Sequence, residues 1–586
     1  MIGLAVLLIS GAAAVPAWAS AEGPAPTMDQ ALTQCDGGPG TDVDVQIAAC
    51  TTLIESHSQS PDHLETAYLN RGDAYEGRDD HDHAIADYNE ALRIDPDSTT
   101  ALNNRGNSFD AKGDHDRAIV DYDEAIRLAP ELGEPYSNRG VARTAKGEHD
   151  LAIADFNQSL KLKPGYGFAL AGRGVAYDAK GDHEHAIADF SEAIRLDPAF
   201  GYAFYHRGVV YDAMGNHDRA IADFSEAVRL KPSNAVAFID RGWAFDAKGD
   251  HDRAIADYSE AIRLWPEYTN PFFNRGRDYH TKGDYDRAIA DFTAVIRLSP
   301  KNADAFNNRG IVYADKGDND RAISDYNQAI RLKPDLESAF YDRALAYYEK
   351  EDFVRAIADA TEAIRLKPDQ PQSHVNRGSY YMAVAEYDRA IADYDEAIRL
   401  EPDFPEAFSD RGYAYDHKGD HDRAIVEFNE AIRLEPGLQQ AFNGLGKTYA
   451  EKGDPQRAIA ALNEAIRLKP DYPSGFNSRC WVRAMANVSL DAALTDCNEA
   501  LRLKPESADE LDSRALVYFR LGQYDKAITD CDASMRGDPK LASPLFLRGL
   551  SKHRSGDQRG GDADLVAARV LDPKVAEIYA VYGLKP

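Results

Sequence analysis

Basic residues are scarce in this chain. Lys and Arg number 67 against 98 Asp and Glu over 586 residues, a formal net charge of −31. Nucleic-acid binding and adhesion to anionic lipid both need a basic footprint, so the expected partners exclude nucleic acid and leave a basic or neutral protein open. Cysteine is sparse, with five residues and no Cys-x-x-Cys pair, which speaks against a catalytic thiol. Beyond the first residues no apolar run approaches the ~20 residues of a membrane-spanning helix. Catalytic signatures are missing as well: there is no glycine-rich phosphate loop, no Gly-x-Ser-x-Gly elbow and no His-Glu-x-x-His. The hydrophobic fraction of 44% argues for a packed core rather than disorder.

The chain opens "MIGLAVLLISGAAAVPAWASA". Residues 2–15 are almost entirely apolar, and Ala17 and Ala19 place small residues at the −3 and −1 positions of a cleavage site. This reads as a signal peptide over residues 1–19, so the expected location is exported, periplasmic or secreted. The competing reading is a short buried or interfacial helix. No cysteine stands at the cleavage site, which argues against a lipid anchor.

Proline supplies the architecture. Twelve prolines from Pro96 to Pro470 are spaced 34 apart, Pro505 follows after 35, and Pro539 and Pro573 after 34 each. That marks fifteen units over residues 65–575, preceded by a cap with a partial repeat (20–64) and followed by a capping helix (576–586). Each unit reads as two helices. In the unit from Ala235, Phe238, Gly242 and Phe245 recur at helical spacing; Gly249 ends that helix and Asp250 caps the next. Ala254, Ile255, Tyr258, Ala261 and Ile262 then recur at 3–4 spacing up to Pro266.

With the proline counted as position 32, the unit carries Gly242 at 8, Phe245 at 11, Ala254 at 20, Tyr258 at 24, Ala261 at 27 and Pro266 at 32. This resembles the tetratricopeptide repeat family. The resemblance implies an all-α fold: a right-handed superhelical solenoid of about fifteen helix-turn-helix repeats plus a capping helix. Small residues let the helices approach and aromatics fill the space between them.

One covariation stands out. Position 7 is Arg in fourteen of fifteen units and position 23 is acidic in fourteen; the unit from Gln439 is the exception at both, with Leu445 and Ala461. Arg241 and Asp257 are therefore expected to pair across the two helices of one unit, since losing one partner alone would strand a charge. A solvated arginine row is the alternative. The aligned units also place Cys35 and Cys480 at position 8 and Cys50 and Cys497 at position 24, which reads as two disulfides stapling the ends, with Cys531 left over. Histidine recurs at position 17, from His81 to His251 and again at His421. Successive units stand ~8–10 Å apart, so these histidines cannot share an ion, and no metal or other cofactor is expected.

In the family, positions 2, 5, 6, 9, 12 and 13 of the first helices line a concave groove. Carried over, Asn104, Asn138, Asn274, Asn308 and Asn376 at position 6 resemble an asparagine ladder that holds a peptide backbone. Tyr202, Tyr205, Ile239, Trp243, Phe273, Tyr341, Tyr348 and Val375 form an aromatic and aliphatic stretch; packing onto the adjacent unit is the competing reading. Asp178, Asp212 and Asp246 at position 12 form an acidic margin favouring Lys or Arg on a ligand. The expected function is a non-enzymatic scaffold binding a peptide or protein segment in this groove. The alternative is a structural or assembly factor of the bacterial envelope acting through its convex face or by self-association.

Overall fold

A computed structural model describes residues 28–38, 40–56, 59–581 and 583–585. The expected signal segment, residues 1–19, lies outside them. Among the described residues there are 33 helices and no strand. The described residues divide into two compact bodies, one ending at Leu298 and one beginning at Ser299.

The local rules are clearest in the unit from Ala235. Its first helix is Ala235–Ala247 and its second His251–Leu264. Between them Gly249 takes φ 74°. A side chain there would meet nothing within 4 Å, so glycine is needed for its backbone angle and not for space. Asp250 accepts from the Arg253 N–H at 3.2 Å and caps the second helix. Gly242 serves the other purpose: a Cβ there would lie 2.8 Å from the Tyr258 ring. Ala254, Tyr258 and Ala261 are fully buried against it.

The first body runs from the helix Met28–Cys35 to the helix Tyr285–Leu298. A disulfide joins Cys35 to Cys50 and closes a loop of 15 residues, worth ~3 kcal/mol in the chain-entropy model. The second body runs from Ala303–Asp315 to Val575–Val581. Its disulfide, Cys480–Cys497, spans 17 residues. It sits in the third helix pair from the C-terminal end rather than at the end itself, and buried Cys531 remains free beside it in the same core. The last helix lays Tyr579 against Phe546, with ring centroids 5.0 Å apart. Where Ala360 replaces the aromatic at position 24, Tyr380 of the following unit packs into the same cluster.

The arginines at position 7 tie the helices together. Arg241 Nε and Nη2 donate to Asp257 Oδ2 and Oδ1, both at 2.7 Å. The side chains are only 18% and 8% exposed, so this is a desolvated bidentate pair. The same fork joins Arg71 to Asp87, Arg377 to Asp393 and Arg548 to Asp564. Each fork also has a third arm. Arg241 Nη1 donates to Ser225 Oγ, and Arg105 and Arg343 donate likewise to Asn89 and Asn327. One guanidinium thus holds both helices of its unit and the second helix of the unit before. In the exceptional unit, Leu445 and Ala461 lie together in one apolar cluster, and Asn429, which would have met the missing arginine, donates to the Ile425 carbonyl of its own helix.

Candidate functional site

The first helices of successive units touch along a seam, and position 5 of one unit meets position 6 of the next. Tyr205 donates to Asp240 at 2.7 Å, Asn138 to Asn103 at 2.9 Å and Asn307 to Asp342 at 3.1 Å. Asn376 donates to the Tyr341 hydroxyl at 3.0 Å. Of the asparagines expected to read a peptide backbone, Asn138 and Asn376 are thus hydrogen-bonded to the neighbouring first helix. Asn104 donates to Asp73 at 2.9 Å, Asn308 to the Asp304 carbonyl of its own helix at 2.8 Å, and Asn274 is buried at 9% exposure. For Asn138 and Asn376 the physical reason is the crossing of neighbouring first helices, which brings position 6 against position 5 of the unit before.

The same crossing corrects part of the apolar stretch. Ile239 and Val375, expected on the groove, are buried in core clusters. Phe273 is half-buried with its ring edge-on to Phe292, and Tyr348 stacks on Tyr380 at 4.9 Å. Tyr202 and Trp243 do stand out, 49% and 56% exposed. They occupy positions 2 and 9, which lie on one side of a helix because they are seven residues apart. Phe168 and Val236, also at position 2 of their units, are exposed as well. Three consecutive first helices of the first body, Gly167–Ala179, Gly201–Ala213 and Ala235–Ala247, thus present an apolar stripe.

Burial sets the charge of the seam. Asp240 and Asp342 are each pushed up to about 6 by burial, opposed by the Tyr205 and Asn307 hydrogen bonds. Asp410 is pushed up to about 7 by burial. His206 is brought down to about 4 by the same cause. The seam therefore carries little charge in mildly acidic solution.

The acidic margin has a structural task that sequence reasoning missed. His115, His183, His217 and His421 each set Nδ1 2.7–2.9 Å from the carboxylate at position 12: Asp110, Asp178, Asp212 and Asp416. His81 and His149, which face Glu76 and Thr144 there, leave Nδ1 without a partner. The signal was present as a pairing of Asp at 12 with His at 17.

Paired helices repeated at 34 residues, with arginine forks such as that of Arg241 tying units to their neighbours within each body, define a helical repeat protein. A tetratricopeptide repeat model matches residues 138–199, 172–235, 205–269, 273–337, 312–371 and 375–439. Two further models of the repeat match 66–98 and 100–132, and 439–472. The chain belongs to the tetratricopeptide repeat family. No curated protein matches it. Among solved structures it is similar to the APC/C heterotetramer Cut9–Hcn1, at 16% identity over 86% of this chain and 98% of that one, TM-score 0.38. It is similar to yeast Tom70 at 19% identity over 82% and 99%, TM-score 0.34. It is also similar to YrrB, described as having an unusual peptide-binding site, at 23% identity over 32% and 97%, TM-score 0.28. No helix of the described residues is long and apolar enough to cross a membrane.

Proposed function

We propose that this protein is a non-enzymatic, exported scaffold that binds a peptide or protein segment along the first helices of its repeats. Tetratricopeptide repeat proteins are generally interaction scaffolds, and membership of the family supports the coarse reading. The observation that carries the finer one is the stripe of Phe168, Tyr202, Val236 and Trp243. Large apolar side chains contiguous on one exposed face mark interaction sites, and aromatics supply most of the binding energy there. The net charge of −31 favours basic residues on the ligand.

A second reading, an envelope assembly factor acting by self-association, rests on a different feature. Val566, Val570, Ile578 and Val581 are exposed on the last two helices, Val570 and Val581 at 79% and 80%.

Peptide display against the full-length protein separates the two. Wild type should enrich peptides with an apolar anchor and Lys or Arg. The Tyr202→Ala/Trp243→Ala variant, altered only at exposed positions, should enrich none of them. Equal enrichment by both proteins would refute the groove and favour the second reading.

A further inference from the structure

Asp278 breaks the repeat. It occupies position 10 of the unit from Thr269, where the other fourteen units have Ala, Val, Ser, Thr or Tyr. Its side chain is 2% exposed, so the carboxylate is buried where the fold elsewhere places an uncharged residue. Burying a carboxylate is costly unless it is paired, and an alanine would avoid that cost. A local rule broken with only one of the two carboxylate oxygens, Oδ1, meeting a donor side chain inside the fold points to a site.

Three elements converge there. Asp246 comes from the helix Ala235–Ala247, His251 opens the helix His251–Leu264, and Asp278 lies on the helix Thr269–Thr281. His251 Nδ1 is 2.9 Å from Asp278 Oδ1 and 3.0 Å from Asp246 Oδ1. One ligand atom from each residue lies within 4.8 Å of the others.

Two buried polar atoms at this place have no partner: Asp278 Oδ2 and the Tyr258 hydroxyl. Both Asp246 and Asp278 act on that hydroxyl. The equivalent hydroxyls of Tyr88 and Tyr122 donate to Asp73 and Asn107 at 2.7 and 2.8 Å. Nearby cations are engaged elsewhere: Arg253 with Asp250, Lys282 with Asp252 and Lys248 with Asp218. Arg277 is exposed, and its charge reaches Tyr258. An open crevice of about 350 Å³, lined by Lys248, Gly249, Asp250, His251, Asp252 and Lys282, brings solvent to the imidazole.

We propose that Asp246, His251 and Asp278 bind one divalent transition-metal ion, through the imidazole Nδ1 and one oxygen of each carboxylate. Tetrahedral bonds of ~2.0–2.2 Å to a common ion place ligand atoms roughly 3.4 Å apart, so His251 Nδ1 and the two oxygens, which now stand at hydrogen-bond distance, need open by only about 0.5 Å to admit one. Imidazole with carboxylates suits Zn²⁺ and its neighbours rather than Mg²⁺ or Ca²⁺. The expectation from sequence excluded sharing between histidines of successive units; here one histidine is joined by carboxylates from its own unit and the next. The ion would cross-link two units.

The test uses chelator-treated full-length protein titrated with Zn²⁺ by calorimetry. Asp278→Ala and His251→Asn each install a residue that other units carry at the same position, Ala244 and Asn319 among them, so the fold is preserved. Wild type should bind one more equivalent of Zn²⁺ than either variant. Zn²⁺ should raise the thermal midpoint of wild type more than that of either variant. The cluster of Asp416, His421 and Glu451 is present in all three proteins and cancels in the comparison. Equal stoichiometry in all three, or no binding by wild type, would overturn the proposal and leave a proton shared between Asp246 and Asp278.

Discussion

Removing Arg241 and Asp257 separately and together tests what the arginine fork contributes. Arg241→Leu leaves Asp257, 8% exposed, without its two 2.7 Å donors. An uncompensated buried charge of this kind costs about 3–5 kcal/mol. Asp257→Ala strands the guanidinium, but Arg241 is 18% exposed, keeps Ser225 at 3.1 Å and lies over the Phe238 ring at 5.5 Å. Its loss belongs at about 3 kcal/mol, the lower end of that range. The double variant Arg241→Leu/Asp257→Ala copies Leu445 and Ala461, which the protein already accommodates at 7% and 8% exposure. It should lie within about 1 kcal/mol of wild type, because replacing both members of a buried pair by apolar groups is often neutral. The coupling energy is then about 5 kcal/mol or more in magnitude. Repeat arrays do not unfold in one step, so the measurement is native-state hydrogen exchange at amides of the helices Ala235–Ala247 and His251–Leu264. Additive losses in the double variant would refute the reasoning.

Two further substitutions probe the turn and the core. Ala385 takes φ 58° where most units have glycine; Ala385→Gly should stabilise the flanking helices by about 1 kcal/mol, measured by native-state hydrogen exchange at the amides of Pro371–Ala383 and Tyr387–Leu400. Asp512 is pushed up to about 7 by burial, opposed by the hydrogen bond from Ser543 and raised further by Asp509. The folded state therefore holds a proton that the unfolded chain has lost above about pH 4. Stability should fall as pH rises from about 4 to about 7, by at most about 1.4 kcal/mol per unit, and level off above. Asp512→Asn should flatten that part of the profile in pH-dependent melts; an unchanged slope would place the titration elsewhere.

Much of the fold was legible because its rules are local. The turn at Gly249, the cap at Asp250 and the apolar faces of both helices follow from spacing within sixteen residues or so of chain. Arg241 and Asp257 drew attention because one unit changes both letters at once, and the structure hydrogen-bonds them. The third arm to Ser225 escaped notice because no unit varies it informatively. The contacts of Asn138 and Asn376 were not legible in the sequence for a related reason. Position 6 lies on the solvent side of an isolated first helix, and only the neighbouring first helix, 35 residues away in the Asn376–Tyr341 contact, turns it into a seam.

By itself, the sequence determined the number and register of the repeated units, the caps and turns, the arginine–aspartate pairing and the net charge. Those depend on a 34-residue period and on helical periodicity, both written along the chain. The tertiary structure decided which faces of the first helices remain open, leaving Tyr202 and Trp243 exposed and burying Ile239. It also brought Asp278 to Asp246 and His251. Those outcomes depend on the crossing of three successive helices, and the side chains packed among them set that angle jointly.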